Sequence, residues 1–305
     1  MPLVQIITYL SLAIAVGAML AKALKYFFAP QHLRWELYPV PHEKGRAEYG
    51  GSYLEELDWW SKPRHSDTLN EIKEMMQEIL FLKGVYHHNR RVWRFSLPFH
   101  LGLYLCIGWL VFLLAGGILE LAGVSVSSSS GTLGIAVHYL TIVLGYGGLA
   151  LSGVGALGLL HWRLTDANQR AYNAPAEYVN LLVFVAVAAV TLMGQLTADP
   201  GFVVLRGYTA SLVSFSPAIL PGSLLTVEIV LVSLLIMYVP LTRMSHFVAK
   251  YFLYHAVRWN DQPNERGSKL EKSLIKLLQQ KVEWKAPHIQ TGSRWSEVVK
   301  EMNNE

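Results

Sequence analysis

Five stretches of this chain run for roughly 20 or more residues with almost no charge, at 3–28, 95–121, 133–160, 178–198 and 223–247. Each is long enough to cross a hydrocarbon core of about 30 Å as an α-helix. The intervening segments have ordinary polarity and a different period. In 69–82 the apolar residues Ile72, Met75, Met76, Ile79 and Leu82 recur at helical spacing, preceded by the N-cap candidates Ser66, Asp67 and Thr68. In the C-terminal tail Leu270, Leu274, Leu277, Leu278 and Val282 recur in the same way. Either amphipathic helix packs against the rest of the chain or the membrane surface, or it docks a partner protein. A Pro- and aromatic-rich stretch fills 35–60. The pattern thus predicts an all-α membrane protein, a five-helix transmembrane bundle. It divides into a first transmembrane helix (1–28), a segment with an amphipathic helix (29–94), a four-helix core (95–247) and a tail (248–305).

Composition agrees with the lipid bilayer as the solvent of this protein. Of 305 residues, 52% are hydrophobic and only 16% charged, where a soluble domain carries about 25% charged residues. The first apolar run has no basic residue before it and no clean cleavage site after it, which reads as a span rather than a signal peptide. Lysine and arginine set the orientation. Ten of them, from Arg34 to Arg94, lie between spans one and two. Arg163 and Arg170 follow span three, and Arg258, Arg266, Lys269 and more follow span five. Arg206 stands alone on the other side. The expected arrangement has the N-terminus outside, the C-terminus cytoplasmic, and the chain multi-pass in the inner (cytoplasmic) membrane. The pI near 9 follows from this bias, so no nucleic-acid partner is needed to explain it. The single cysteine, Cys106, cannot hold an iron–sulfur cluster alone.

Candidate chemistry comes from histidines placed by depth, because an ionisable group inside a span is expensive and marks function. His32, His42, His65, His87, His88, His255 and His288 fall in polar segments and read as solvated or interfacial. His100 lies just inside span two and His246 at the same-side end of span five. Two imidazoles at one depth on different helices suit a six-coordinate haem iron, or else bond lipid phosphate or each other. Gly102 and Gly108 offer a flat macrocycle room beside the helix. His161, with Trp162 and Arg163 after it, reads as an interface anchor or propionate contact and is the rival ligand. His138 lies near the outer end of span three, and Glu228 is the carboxylate deepest in a span. Glu228 precedes His246 by 18 residues, five turns at about 3.6 residues, which puts both on one face of a continuous span five. Glu228 and His138 form either a proton-handling pair or a structural hydrogen bond. The glycines of span three, Gly145, Gly147, Gly148, Gly153, Gly155 and Gly158, serve close packing or cofactor space.

With Phe99-His100-Leu101-Gly102 opening span two and Pro240-Leu241-Thr242-Arg243-Met244-Ser245-His246 closing span five, the region from Arg94 to Trp259 resembles the cytochrome b family of the respiratory nitrate reductase gamma subunit. The long first loop is similar to the branch of heterodisulfide reductase and sulfite-reduction-associated membrane subunits. The resemblance implies a cytoplasmic-side haem b with His100 and His246 as axial ligands, and His161 and Arg243 in its surroundings. Where the family carries ligands for a second haem, this chain has Leu110 and Glu228. One haem is therefore expected, a second with that ligation is not, a second of other ligation using His138 stays open, and the outer half with His138 and Glu228 becomes a candidate menaquinone site. The implied partner is a cytoplasmic iron–sulfur oxidoreductase subunit, with room for a multihaem cytochrome c outside. The implied activity is electron transfer between menaquinone and that partner, as one subunit of a larger oxidoreductase. The alternative is a non-redox anchor that recruits a soluble enzyme. Transport is disfavoured, since the sequence has neither internal repeat nor paired broken helices.

Overall fold

The computed structural model describes residues 2–29, 40–45, 52–63, 65–218, 220, 222–286, 289 and 291–302. His32, His288 and part of the aromatic-rich stretch lie outside them. The described residues are mainly helical and form no strand, with only isolated bridges at Glu43–Ser66, Lys281–Arg294 and Ala286–Ile289. In chain order the helices are α1 (Leu3–Phe27), α2 (Thr68–Phe81), α3 (Lys83–His88), α4 (Arg90–Leu121), α5 (Thr132–Thr165), α6 (Ala167–Tyr172), α7 (Pro175–Ala198), α8 (Val203–Val213), α9 (Ser223–Leu241), α10 (His246–Leu253), α11 (Lys269–Leu278) and α12 (Trp295–Met302). α1, α4, α5, α7 and α9 are long and apolar enough to cross a membrane, so the chain has the helices of a multi-pass membrane bundle. It divides into two compact units: Met1–Gly17 with Met76–Thr242, and Ala18–Met75 with Arg243–Glu305.

Helix starts follow local chemistry. Asp67 is the residue that caps α2, its Oδ1 accepting from Asn70 N–H at 3.0 Å. α2 stops at Phe81 because Leu82 turns left-handed (φ 51°) and is buried. Asn89 Oδ1 accepts from Val92 N–H at 3.1 Å and opens α4 five residues before the apolar run begins. Pro175 occupies the first turn of α7, where its missing N–H is harmless.

The first unit is built on a glycine seam. α4 and α5 run antiparallel, with Phe95 against Gly158, Phe99 against Gly155, Gly102 against Gly148 and Ser152, and Trp109 against Gly145. A Cβ on Gly155 would stand 2.6 Å from Phe99 Cα, and one on Gly102 would stand 2.7 Å from Ser152 Cα. Backbones this close exclude any side chain, and the reward is dispersion contact along the helix pair. α7 then packs on α5, α9 on α7 and α8 on α4. The buried cluster Trp109, Leu113, Phe202, Leu205, Tyr208 and Ile229 ties α8 into the helices around it. The segment after α7 is thus folded into the bundle by α8.

The first part of α1 joins this unit through a polar stripe. Gln5, Thr8 and Ser11 are its buried residues. Gln5 Nε2 donates to Ser211 Oγ (3.0 Å) and Ser216 O (2.8 Å), and the Thr8 hydroxyl lies 2.8 Å from Tyr208 Oη and 2.9 Å from Ser233 Oγ.

The fifth span is shorter than its hydropathy indicates. α9 ends at Leu241, Thr242 is extended (φ −111°, ψ −176°), and a 3-10 turn, Arg243–Ser245, precedes α10. Pro240 withholds an N–H from the last turn, and Thr242 turns both its N–H and its hydroxyl back to Val239 O. Helical phase therefore does not run from Glu228 to His246, and the one-face relation drawn from their 18-residue spacing does not hold.

In the second unit, the Glu43 carboxylate accepts from Ser52 Oγ (2.8 Å) and Tyr53 N–H (2.9 Å), and Tyr53 Oη donates to Asp261 O (2.8 Å). Lys22 Nζ donates to Ser245 Oγ at 2.6 Å. Val282, Ile289 and Val298 make a small core in the tail.

Candidate functional site

His100 sits in the third turn of α4, half-buried. Its Nδ1 is 2.8 Å from Ser96 O and 3.2 Å from Ser96 Oγ. A carbonyl oxygen only accepts, so Nδ1 carries a proton, which in the neutral ring leaves the lone pair on Nε2. Holding the far nitrogen against a backbone carbonyl is how proteins orient a metal-binding imidazole and fix its tautomer. The ring points away from the seam. Gly102, on the α5 side, is two residues further and so roughly 200° round the helix. Tyr104, one turn beyond His100, instead reaches Ile79 O of α2 at 2.8 Å. The space at Gly102 is filled by the α5 backbone, and Gly108 meets Leu144. Neither glycine leaves a cradle beside His100, and the glycines of α5 at this interface are likewise consumed by packing.

His246 opens α10 and is exposed, directly after the buried Ser245 that Lys22 holds. His100 and His246 belong to different compact units. Arg243, in the 3-10 turn, and His161, near the end of α5, are both exposed. The His161 carbonyl accepts from Thr165 Oγ1 at 2.9 Å. Among the described residues no group of three or more His, Cys, Asp or Glu side chains is arranged to hold a metal ion. A haem iron takes only two protein ligands, fewer than such a group.

Polar groups concentrate at the end of the first unit that carries α8. Glu228, in the second turn of α9, is 1% exposed. Gln195 Nε2 on α7 donates to both its oxygens, at 2.8 and 2.9 Å. A Cβ on Gly194 would fall 2.6 Å from Glu228 Oε2, so the carboxylate needs a glycine there. The partner of Glu228 is this amide. Among the described residues no hydrogen bond joins it to His138, whose Nδ1 is buried without a partner.

α8 supplies the charges that hydropathy passes over. Asp199 is buried, and its carboxylate accepts from the N–H groups of Val203 (2.7 Å), Val204 (2.8 Å) and Leu205 (3.1 Å), which anchors the helix N-terminus. Arg206 is 0% exposed. Its Nε donates to Glu120 Oε1 at 2.7 Å and its Nη2 to Val126 O at 2.8 Å. The sequence marks Arg206 only as an orientation signal and passes over Gln195. The one available hint was a full-length polar side chain inside or beside an apolar run, with no interfacial role to explain it.

The second unit joins two of the histidines read as solvated or interfacial in one cluster. His42 Nε2 lies 3.1 Å from Asp261 Oδ2, His42 Nδ1 3.4 Å from Glu71 Oε2, and His255 Nδ1 3.2 Å from Glu71 Oε1. The hydrogen bond to Asp261 raises the His42 pKa, burial opposes it, and the charges of Asp261, Glu71 and Glu43 add to the rise. His255 belongs to a π-helical turn, Tyr254–Arg258. The two histidines thus link residues before α2 to residues after α10.

No family model, no curated protein and no solved structure matches this chain.

Proposed function

We propose that this chain is the membrane cytochrome b subunit of a multi-subunit oxidoreductase of the cytoplasmic membrane, with its N-terminus outside and its tail in the cytoplasm. In this reading it carries electrons between menaquinone and a cytoplasmic iron–sulfur partner. On the same reading His100 and His246 would hold one haem b, with His161 and Arg243 in its surroundings. The outer site contains His138 and Glu228.

The observation that supports the reading is the state of His100. Its Nδ1–H is committed to the Ser96 carbonyl, so in the neutral tautomer the kind of lone pair that iron requires lies on Nε2. Haem b bound there would supply a one-electron carrier. The work of this chain's own residues is to orient and exclude. Ser96 fixes the His100 ring, and the glycine seam holds α4 in place behind it. At the other end Gln195 holds the Glu228 carboxylate inside the bundle, where it exchanges a proton with the outer site.

Reduced-minus-oxidised spectra of the purified protein test the proposal. A b-type Soret and alpha band is expected, with haem content lost in His100→Ala and in His246→Ala. A wild-type protein without haem would leave only the anchor function. Retained haem in either variant would remove that ligand.

A further inference from the structure

α2 uses its polar face for contacts within the protein. Asn70 Nδ2 donates to Pro41 O at 2.8 Å, and Glu71 meets His42 and His255. Gln77 Oε1 accepts from Lys83 Nζ at 3.0 Å, and Glu78 Oε2 from Gly84 N–H at 2.7 Å. The opposite face carries Leu69, Ile72, Met76, Ile79 and Leu80 at the spacing of one helical stripe, and Phe81 closes it. All six are exposed, Leu69 at 81% and Phe81 at 60%, and no residue of the helix is buried. A helix on the surface of a water-soluble domain turns these faces the other way round. A contiguous apolar stripe of this length marks a surface that something covers.

Two hydrogen bonds bear on what covers it. α2 ends at Phe81, so the carbonyls of its last turn lack helical partners. Tyr104 Oη donates to Ile79 O at 2.8 Å, and Trp93 Nε1 to Phe81 O at 2.7 Å. Both donors are on α4, whose apolar run opens at Phe95. The two carbonyls are neighbours, so the end of α2 lies at a level between Trp93 and Tyr104, within the first turns of that span. Water would satisfy such carbonyls; hydrocarbon would not, and there the chain must supply the donors itself. Trp and Tyr are the side chains that gather at a membrane interface. Leu101, Ile107 and Val111 flank Tyr104 on one face of α4 and are exposed as well, so the end of α2 is tied to the lipid-facing surface of a spanning helix. We infer that α2 is an in-plane membrane helix, its stripe from Leu69 to Phe81 sunk among acyl chains where α4 enters the bilayer. Lys73, exposed beside the stripe, has the stem to carry its charge to the headgroups. The inference needs only the spanning helices, and haem plays no part in it.

A fluorescent label on single introduced cysteines tests the assignment, on the full chain in nanodiscs of phosphatidylcholine and phosphatidylglycerol. Ile72→Cys and Met76→Cys report on the stripe, and Lys62→Cys, in a polar segment, is the reference. All three positions are exposed, so the fold is not at risk. Wild type treated in parallel reports any reaction of Cys106. An interfacial helix lies about 5–10 Å into the headgroup boundary, so a nitroxide on the lipid near the headgroup should quench the two stripe labels at least about twofold more than the reference. Aqueous iodide should quench them less than the reference. Equal iodide quenching at all three positions overturns the inference. Protection of the stripe labels from both quenchers also overturns it, in favour of a protein surface lying over the stripe. The readout does not use haem, so a protein without a b-type spectrum defeats the proposed function and leaves this result standing.

Discussion

Replacing Gly102 by alanine puts one methyl group into the tightest point of the α4–α5 seam. The new Cβ would lie 2.7 Å from Ser152 Cα and 2.8 Å from Gly148 O, both backbone atoms with nowhere to turn. Ordinary contact begins at 3.4 Å, so the helices must part by at least about 0.7 Å, and every glycine contact along the seam loosens with them. Overpacking of this kind costs about 1–3 kcal/mol, and the rigid backbone neighbours favour the upper half of that range. Gly153→Ala is the internal control, because its Cβ would meet only Ala188 Cβ at 3.6 Å. Equilibrium unfolding by SDS in mixed micelles should show Gly102→Ala less stable than wild type by about 2 kcal/mol and Gly153→Ala close to neutral. Equal stability of the two variants would refute the backbone-contact account of this interface.

Gln195→Leu should destabilise the protein by about 3 kcal/mol or more, since the buried Glu228 carboxylate loses both N–H contacts. Adding Glu228→Leu should restore most of it, and a double-mutant cycle without recovery would argue against the pair. Asp199→Ala should fray the start of α8, at about 1–2 kcal/mol, with faster amide exchange at Val203, Val204 and Leu205; unchanged protection there would count against the cap. His42 has a raised pKa in the folded protein. Its contribution is therefore complete below its unfolded value of about 6.5 and is lost as pH rises through the higher folded value. Exchange in 40–45 and 254–261 should then accelerate with pH beyond the intrinsic rate, and His42→Gln should abolish the excess. Equal profiles for wild type and variant would dismiss the cluster as a latch.

The spans were legible because hydropathy averaged over about 20 residues is insensitive to detail. The same averaging hid the end of α9. Leu241 and Phe247 are both apolar, and the break at Thr242 comes from one missing N–H at Pro240 and one hydroxyl turned inward. Depth reasoning placed His138 and Glu228 alike within the first two turns of their helices. It had no means of showing that Glu228 faces α7, because facing is settled by which helix packs beside which. Arg206 counted only as an orientation signal for a related reason. Nothing in the sequence shows that a short helix folds it over Gly116. His42 and His255 are far apart in sequence, and only the fold of their unit makes them share Glu71.

The polar stripe of α1 has a consequence for how the protein is made. α1 is synthesised before its partners Tyr208, Ser211, Ser216 and Ser233, which come some two hundred residues later. Until then it must wait in the bilayer without them. Its apolar surface lets it do so, and Gln5, Thr8 and Ser11 are few enough to be tolerated there. Those same groups then allow only one depth and one rotation when α8 and α9 arrive. The first helix behaves as a key cut in advance, inserted by its grease and admitted by its teeth.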